Sequence, residues 1–438
     1  MHDLSQLMEG LSGFLGTSYT AYNAADNARA FLRAHGFCEL DERAPWTLAP
    51  QGKYFVVRGG SAVIAFTGGD AAKGFKIVAS HTDSPCLKLK ENGELSDGTY
   101  TRLNTEPYGG GLWYTFFDRP LRLAGRTVYE EDGALVSRPF ASDFTVSLPS
   151  LAIHLNRDAN EKFAPNLQEN LLLLTLGGKR LAELLGSPVS FDLFAACAEK
   201  PYFWGAENEF FSAPRLDNLA SVFASIRTLA QGEATGVCVA ACLDSEEIGS
   251  HTRAGAASDF LRAVLVRIAE AQGLTRAEYY AALAASFCIS LDNAQGFHPN
   301  YAAKFDPSDR AYLGKGAALK AHANGAYATD ALSAAVVRTV FGRAGAPLQT
   351  FYNRSDMRSG STLGTISLGQ AGILTADIGL PQLAMHSAVE TIACADYAAL
   401  EAGLSAFWKR AFPRTAVDFC HAIGCGTGRR FPPMAAPF

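Results

Sequence analysis

From about residue 210 onward, short apolar runs alternate with longer stretches in which apolar residues recur at helical spacing. Buried strands are predicted at Val237–Leu243, Phe287–Leu291 and 373–378, because each is a short run of mainly apolar residues. Helices are predicted at 261–272, 326–341 and 394–412, and along the stripe of Leu219, Val222, Phe223, Ile226 and Leu229. This alternation predicts an α/β fold, with a mixed and mostly parallel sheet flanked by helices.

The stretch from about 84 to 205 departs from this pattern, because β-forming residues and Gly or Asp-Gly turns dominate it. Such a composition is typical of an antiparallel β unit. Strand-like segments are predicted within it at 111–117, 120–130 and 134–139.

A chain of 438 residues is too long for one ordinary hydrophobic core, so two domains are expected. The run at 75–80 predicts a further buried strand, which ends at His81 and is expected to join the sheet formed by the later strands. The β-rich stretch then interrupts the α/β domain. We therefore predict a first α/β part, an inserted β-rich domain and a second α/β part, over residues 1–83, 84–205 and 206–438.

Charge and composition exclude several classes of protein. The net charge is −5 and the isoelectric point is near 6.0, which argues against a nucleic-acid-binding surface. The N-terminal residues lack the basic and apolar regions of a secretory signal, and the apolar runs are too short to span a bilayer. The nine cysteines are scattered, as reduced thiols are in cytosolic proteins. A cytoplasmic protein without nucleic-acid or membrane partners is expected.

Side chains that can bind metals follow the predicted strands. In open α/β sheets, ligands gather at the carboxyl ends of strands. The candidates are His81, Asp83, Asp217, Asp244, Glu246, Glu247, Asp292 and His386. Taken singly, most have a simpler interpretation; Asp217, for example, stands where an N-cap is expected. Together, two imidazoles and several carboxylates suit zinc, with manganese or cobalt as alternatives.

Two spacings within this set suggest specific roles. His81 and Asp83 are two residues apart at a strand end, so Asp83 can accept the second ring N–H of a ligand histidine. Glu246 and Glu247 are adjacent, which allows one to bind metal while the other acts as a general base. The motifs of zincin proteases, serine hydrolases and phosphate-binding loops are absent from the sequence.

The chain resembles the aspartyl aminopeptidase family of dinuclear zinc exopeptidases over nearly its whole length. The resemblance rests on strings that occur in the family's order. They are VASHTDSPCLKLK (78–90), LAIHLNRDANEKFAPN (151–166), RLDNLASV (215–222), DSEEIGS (244–250), SLDNAQGFHPNY (290–301), GSTLG (360–364) and LPQLAMHSAVE (380–390).

The resemblance implies a role for each candidate residue. It implies two zinc ions per subunit, with Asp217 bridging them. His81 and Asp292 would complete one site, and Glu247 and His386 the other. The remaining roles fall to Glu246 as the general base, Asp83 as the residue that orients His81, and Asp244 as a neighbour without a ligand role.

Further implications concern assembly and substrate choice. The family's inserted domain is a dimerisation domain, and a histidine from it, here His154, reaches the partner subunit's active site. Without the resemblance, His154 is interpreted as an ordinary strand histidine. Lys320 would pair with an acidic substrate side chain, although it lies in the loosely matching region 302–325. Relatives form tetrahedral dodecamers. The tail from Cys420 has no counterpart in the family and is interpreted as a flexible or interface segment.

The implied activity is the release of N-terminal Asp or Glu from peptides by a zinc-bridging hydroxide, with Glu246 as general base. Two alternatives stay open at this point. One is an enzyme with the same metals and a neutral or broad specificity, or a deacylase that acts on N-acyl amino acids. The other is a non-catalytic, metal-stabilised assembly that binds peptides.

Overall fold

The computed structural model describes residues 2–176, 180–357, 360, 362–364, 366 and 372–409. Ser361 of the Gly/Ser loop and the tail from Cys420 therefore lie outside the described residues. The helices of the described part are α1 (His2–Thr17), α2 (Ala21–Ala34), α3 (Leu181–Leu184), α4 (Leu216–Gln231), α5 (Phe260–Ala271), α6 (Arg276–Ala284), α7 (Ala331–Arg343) and α8 (Cys394–Lys409).

The strands of the described residues form three sheets. In chain order they are β1 (Cys38–Glu39), β2 (Lys53–Arg58), β3 (Ala62–Thr67), β4 (Phe75–His81), β5 (Cys86–Ser96), β6 (Tyr100–Tyr108), β7 (Leu121–Glu131), β8 (Ala134–Val146), β9 (Leu173–Leu176), β10 (Ser190–Cys197), β11 (Tyr202–Trp204), β12 (Phe210–Ala213), β13 (Val237–Leu243), β14 (Phe287–Leu291), β15 (Ala294–Gln295), β16 (Ala317–Lys320), β17 (Leu348–Phe351), β18 (Leu374–Gly379), β19 (Pro381–Leu383) and β20 (Glu390–Ala393).

The largest sheet has the strand order β1-β2-β3-β13-β4-β14-β18-β16-β17. Its pairings are parallel except β2 with β3, β3 with β13, and β16 with β18, so the predicted mixed and mostly parallel sheet is confirmed. The central strands β4 and β13 are buried at every residue, which explains why their sequences are mainly apolar.

Helices cover both faces of this sheet. Along β13, Val239 and Ala241 pack into the cluster that contains α5 and α6, whereas Ala240 and Cys242 pack against α1, α2, α4, α7 and α8. Alternate residues of a strand point to opposite faces, so the two clusters lie on the two sides of the sheet. Within the described residues, no helix is both long and apolar enough to cross a membrane.

The second sheet has the order β8-β7-β10-β5-β6-β9, and its recorded pairings are antiparallel. It has its own apolar cluster, which includes Leu87, Leu123 and Leu193. These features support our proposal that 84–205 is an inserted β-rich domain. Strand β11, near the end of that range, pairs instead with β12 in the third sheet, whose order is β11-β12-β20-β19-β15.

Two local predictions were wrong. The segment 111–117 was predicted as a strand, but Trp113–Phe116 forms a 3₁₀ turn. Residues three apart eclipse in such a turn, and the rings of Trp113 and Phe116 lie with their centroids 5.5 Å apart, an arrangement that strand alternation does not give. The helix predicted over 326–341 begins at Ala331, because the Asp330 side chain accepts the N–H of Ser333 in a capping box.

Candidate metal centre

Three neighbouring parallel strands place the candidate ligands along one edge of the large sheet. His81 is the last residue of β4, and Asp292 directly follows β14. Glu246 and Glu247 lie in a 3₁₀ turn after β13, which Ser245 begins with a φ of 65°. Because β13, β4 and β14 are adjacent and parallel, their carboxyl ends meet at this edge.

Two further candidates come from outside these strands. Asp217 lies in the first turn of α4 but has non-helical backbone angles, φ −83° and ψ 106°. His386 lies in the turn between β19 and β20 and has a φ of 64°. Both side chains reach the groups at the strand ends. The structure thus brings the first turn of α4 and the turn before β20 to the ends of these strands.

The convergent groups form two triads that share one carboxylate. His81, Asp217 and Asp292 make the first, and Asp217, Glu247 and His386 make the second, with the ligand atoms of each triad within 4.8 Å of one another. In the first, His81 Nε2 is 3.6 Å from Asp217 Oδ1 and 3.8 Å from Asp292 Oδ1. In the second, His386 Nε2 is 3.6 Å from Asp217 Oδ2 and 3.3 Å from Glu247 Oε1.

These distances and the state of the acidic oxygens fit metal binding. Asp217 Oδ1 and Glu247 Oε1 are buried, and neither has a hydrogen-bond partner among the described residues. Burying a charged oxygen without a hydrogen bond is unfavourable unless a cation satisfies it. Two imidazoles with three carboxylates are the nitrogen and oxygen donors that zinc takes in proteins. The residues present therefore fit a zinc centre.

The pKa values of the triad residues are shifted because several carboxylates and two histidines lie close together. Burial alone would lower the pKa of His386, but the Asp217 and Glu247 carboxylates raise that pKa to about 10. Burial alone would raise the pKa of Asp217, but its contacts with His386 and His81 hold it well below the usual range. Since imidazole must be neutral to bind a metal, an incoming cation replaces protons in this cluster.

Glu246 lies in the same cluster but belongs to neither of these two triads. It forms a third possible group with His81 and Glu247, and it lines a cavity of about 350 Å³ together with both triads. Burial raises the pKa of Glu246 to about 7, against the effect of His81 and with help from the Asp292, Asp83 and Asp217 carboxylates. A carboxyl group with such a pKa can both accept and donate a proton near neutral pH.

Asp83 holds the strand ends together. Its carboxylate accepts the backbone N–H of Glu246 at 3.0 Å and of Glu247 at 3.1 Å, and the hydroxyl of Tyr108 at 2.9 Å. The ring atom His81 Nδ1 lies 3.1 Å from the backbone oxygen of Asp83 and 3.4 Å from its carboxylate. The shorter contact of the ring is therefore with the Asp83 carbonyl, while the carboxylate fixes the turn that carries both glutamates.

Lys320 is fully buried at the end of β16 and lines the same cavity. Its Nζ atom is 3.4 Å from Asp292 Oδ2, 3.4 Å from the Asn293 carbonyl oxygen, and 5.0 Å from the centre of the Tyr327 ring. Burial disfavours the ammonium form, but the Asp292 charge, together with smaller effects of Tyr327, Asp377 and Asp217, raises the pKa of Lys320. The surroundings therefore favour a positive charge on Lys320, beside a candidate ligand.

Two other candidates lie apart from the triads. His154 is exposed in a turn between β8 and β9, and it is not among the described residues that line the metal cavity. Asp244 borders a separate cavity of about 270 Å³, and its Oδ1 atom accepts the N–H of Ser245. Burial and the Asp83 charge raise the pKa of Asp244 to about 7. Asp244 joins neither triad, as the resemblance implied.

Two contacts of the site were not predicted from the sequence. Glu390 is buried and accepts the backbone N–H groups of Asp217 and His386. Tyr108, at the end of β6, reaches Asp83 from the second sheet. Glu390 occurs in LPQLAMHSAVE (380–390), one of the strings that carry the family resemblance, and this was the one indication in the sequence that it could belong to the site. Tyr108 lies in none of the strings that carry the resemblance.

Comparisons with known proteins identify the family of this chain. The family model described as "Aminopeptidase I zinc metalloprotease (M18)" matches residues 14–181 and 173–408. The protein named "Probable M18 family aminopeptidase 2" from Clostridium acetobutylicum is 40% identical over 429 residues, which cover 91% of this chain and 98% of that protein.

Solved structures show the same fold. A chain of the cryo-EM structure of the Ape4 and Nbr1 complex has a TM-score of 0.89 and 33% identity, and the match covers 93% of this chain and 86% of that one. The structure of the S. cerevisiae mApe1 dodecamer gives a TM-score of 0.81 and 25% identity, over 93% of this chain and 97% of that one. Since the family model and the bacterial relative both span most of the sequence, this chain belongs to the M18 family of zinc aminopeptidases.

Proposed function

We propose that this protein is a two-metal aminopeptidase that releases Asp or Glu from the N-terminus of peptides. The observation that carries the proposal is the pair of triads that share Asp217, placed in one cavity with the buried ammonium of Lys320. Membership of the M18 family supplies the aminopeptidase activity and the zinc. The number of metal ions, the residue roles and the acidic specificity are the parts we propose.

One metal ion would be held by His81, Asp217 and Asp292, and the other by Asp217, Glu247 and His386. Zinc bound there supplies Lewis acidity, which polarises a peptide carbonyl and makes a water molecule a better acid. Manganese or cobalt could substitute, because the donors are imidazole and carboxylate groups. Asp83 would keep His81 and the two glutamates in place through its contacts with the ring and the turn.

Glu246 would move the proton. In this mechanism its carboxylate takes a proton from the attacking water as the new C–O bond forms at the first peptide carbonyl. The same carboxyl group then gives that proton to the leaving amine nitrogen as the C–N bond breaks. Burial is the largest cause that raises the pKa of Glu246, and it would make this carboxylate a stronger base than a fully hydrated glutamate.

Lys320 would select the substrate. An ammonium group at the cavity wall forms a charge-assisted hydrogen bond with a carboxylate and leaves a neutral side chain without a matching partner. The 3.4 Å contact between Lys320 and Asp292 favours a second candidate, an aminopeptidase of neutral or broad specificity, because part of the Lys320 charge is already balanced. The deacylase and the non-catalytic peptide-binding assembly have no comparable observation in their favour.

Assembly and location are further parts of the proposal. The yeast relative is described as a dodecamer, which supports a homo-oligomer here, built from dimers. In such an assembly the β-rich domain at 84–205 would be the dimerisation domain. The exposed turn that carries His154 would enter the partner's active site, where the imidazole would stabilise the developing oxyanion. A cytoplasmic location stays a prediction from the sequence.

The test of the proposal is hydrolysis of chromogenic substrates that begin with Asp, Glu, Leu or Ala, with and without a chelator. We expect cleavage of the Asp and Glu substrates alone, and loss of that cleavage after chelation. Chelator-sensitive cleavage of the Leu or Ala substrates would establish the broad-specificity candidate instead. An inert, metal-loaded protein would favour the peptide-binding assembly.

Replacing Lys320 with Met tests the specificity directly, because Met fills a similar volume without the charge. A hydrogen bond to a charged group contributes about 1.5–3 kcal/mol, so we expect kcat/KM for Asp and Glu substrates to fall roughly 10- to 100-fold. Activity on a Leu substrate should hold or rise. The matched control is Lys315→Met, which changes an exposed lysine in the same region. An equal loss of kcat/KM on all substrates would show that Lys320 stabilises the position of Asp292 and does not bind the substrate side chain.

A further inference from the structure

Glu390 joins two candidate metal ligands that are far apart in the sequence. It is the first residue of β20, and only 2% of its surface is exposed. Its Oε2 atom accepts the backbone N–H of Asp217 at 2.9 Å, and its Oε1 atom accepts the backbone N–H of His386 at 2.6 Å. One carboxylate thus binds both chain segments, using one oxygen for each.

The two segments need such a connection because regular structure does not fix either of them. Asp217 departs from helical geometry inside the first turn of α4, and His386 lies at a positive φ in the turn before β20. Glu390 itself is fixed, because β20 pairs with β12 on one side and with β19 on the other. The carboxylate therefore connects the third sheet to two segments of irregular backbone.

The position of Glu390 also indicates that it has a specific function and is not simply a residue of the packed core. Placing a carboxylate near the charge of Asp217 is unfavourable, and an apolar residue would avoid that energy. Glu390 is absent from both triads, so it does not serve as a ligand within them. What it offers is a pair of acceptors for two N–H groups of the second triad.

We propose that Glu390 is a positioning residue that holds Asp217 and His386 at the separation which the second metal ion requires. The inference deepens the proposed function, and it rests on the two-metal centre assigned there. Partners that orient metal ligands typically contribute 10- to 100-fold to metal affinity. The metal site of Asp217, Glu247 and His386 should therefore weaken by this factor when Glu390 loses one acceptor.

Glu390→Gln makes that change with little change of shape. Glutamine has one acceptor oxygen, and its NH₂ group would face the second backbone N–H, donor against donor. The matched control is Asp396→Asn. Asp396 is also a fully buried carboxylate that accepts two backbone N–H groups, those of Gly314 at 2.7 Å and Gly316 at 2.6 Å, but neither glycine is a candidate ligand.

The experiment uses the full chain, freed of metal and titrated with Zn²⁺ by calorimetry and with Co²⁺ by visible absorption. We expect Glu390→Gln to weaken one of two sites about 10- to 100-fold and to alter the cobalt spectrum of that site. Asp396→Asn should bind both metals as the wild type does, even where it lowers Tm. Wild-type metal binding by Glu390→Gln, or an equal loss in both variants, would overturn the inference.

A second variant keeps the test decisive if Glu390→Gln does not fold. Glu390→Asp retains the charge and both acceptors but is one methylene shorter, so it should weaken the same site. Wild-type affinity in Glu390→Asp would then count against the inference. Because the experiment measures metal binding, its outcome can be distinguished from a failure of the proposed function. A wild-type protein that binds two metal ions without hydrolysing acidic substrates would overturn the proposed function and leave the role of Glu390 intact.

Discussion

Replacing Glu246 with Gln is expected to lower kcat on the best substrate by about 10²- to 10⁴-fold, the usual contribution of a general acid–base group. The amide of Gln can neither take a proton from water nor return one to the leaving nitrogen. Glu246 belongs to neither triad that shares Asp217, so both metal ions should remain bound. We therefore expect a large loss of turnover at unchanged metal content.

The adjacent residue provides the control for this prediction. Glu247→Gln removes a ligand of the second triad, so it should release one metal ion and lose activity by a different route. Metal content by elemental analysis and kcat are measured on both variants side by side. Near-normal turnover by Glu246→Gln would remove it from the mechanism, and loss of metal from that variant would make it a ligand.

The placement of the strand-end residues could be predicted because it depends on local patterns. The runs that became β4, β13 and β14 are mainly apolar, and each is followed by acidic residues or ends at His81. A parallel sheet brings the carboxyl ends of its strands to one edge, whatever the details of packing. Knowing which runs are strands was therefore enough to group these side chains.

The contacts that hold the site together could not be predicted in this way. The hydrogen bond from Asp217 to Glu390 joins residues 173 apart, and the bond from Tyr108 to Asp83 joins two different sheets. No periodicity in the sequence encodes such a pairing, since it exists only after the sheets have packed. The same is true of Lys320, whose contact with Asp292 depends on an antiparallel pairing between β16 and β18.

The site also contains several departures from local conformational and burial preferences. Ser245 and His386 adopt positive φ values, and Asp217 and Glu390 are buried acids. Each departure is unfavourable by itself, and such departures concentrate at functional sites because binding or catalysis compensates for them. The strand-end pattern therefore supplied the candidate residues, whereas the role proposed for each of them came from the resemblance.

Replacing Asp217 with Asn is expected to remove both metal ions, whereas replacing any other ligand should remove one. Asp217 is the one side chain that the two triads share, and its two carboxylate oxygens face His81 and His386 separately. An amide supplies a single, uncharged acceptor and places donors where a cation should lie. The loss of metal affinity should exceed the roughly 10- to 100-fold that partners of ligands contribute.

The comparison that decides this prediction includes His81→Ala, His386→Ala and Asp244→Asn. We expect a metal-to-protein ratio of about one for each histidine variant, because each histidine belongs to only one of the two triads that share Asp217. For Asp217→Asn we expect a ratio near zero. Asp244→Asn should keep both ions, since Asp244 borders a different cavity. A single ion retained by Asp217→Asn would mean that one triad binds metal without the shared carboxylate, and the bridging role would then be wrong.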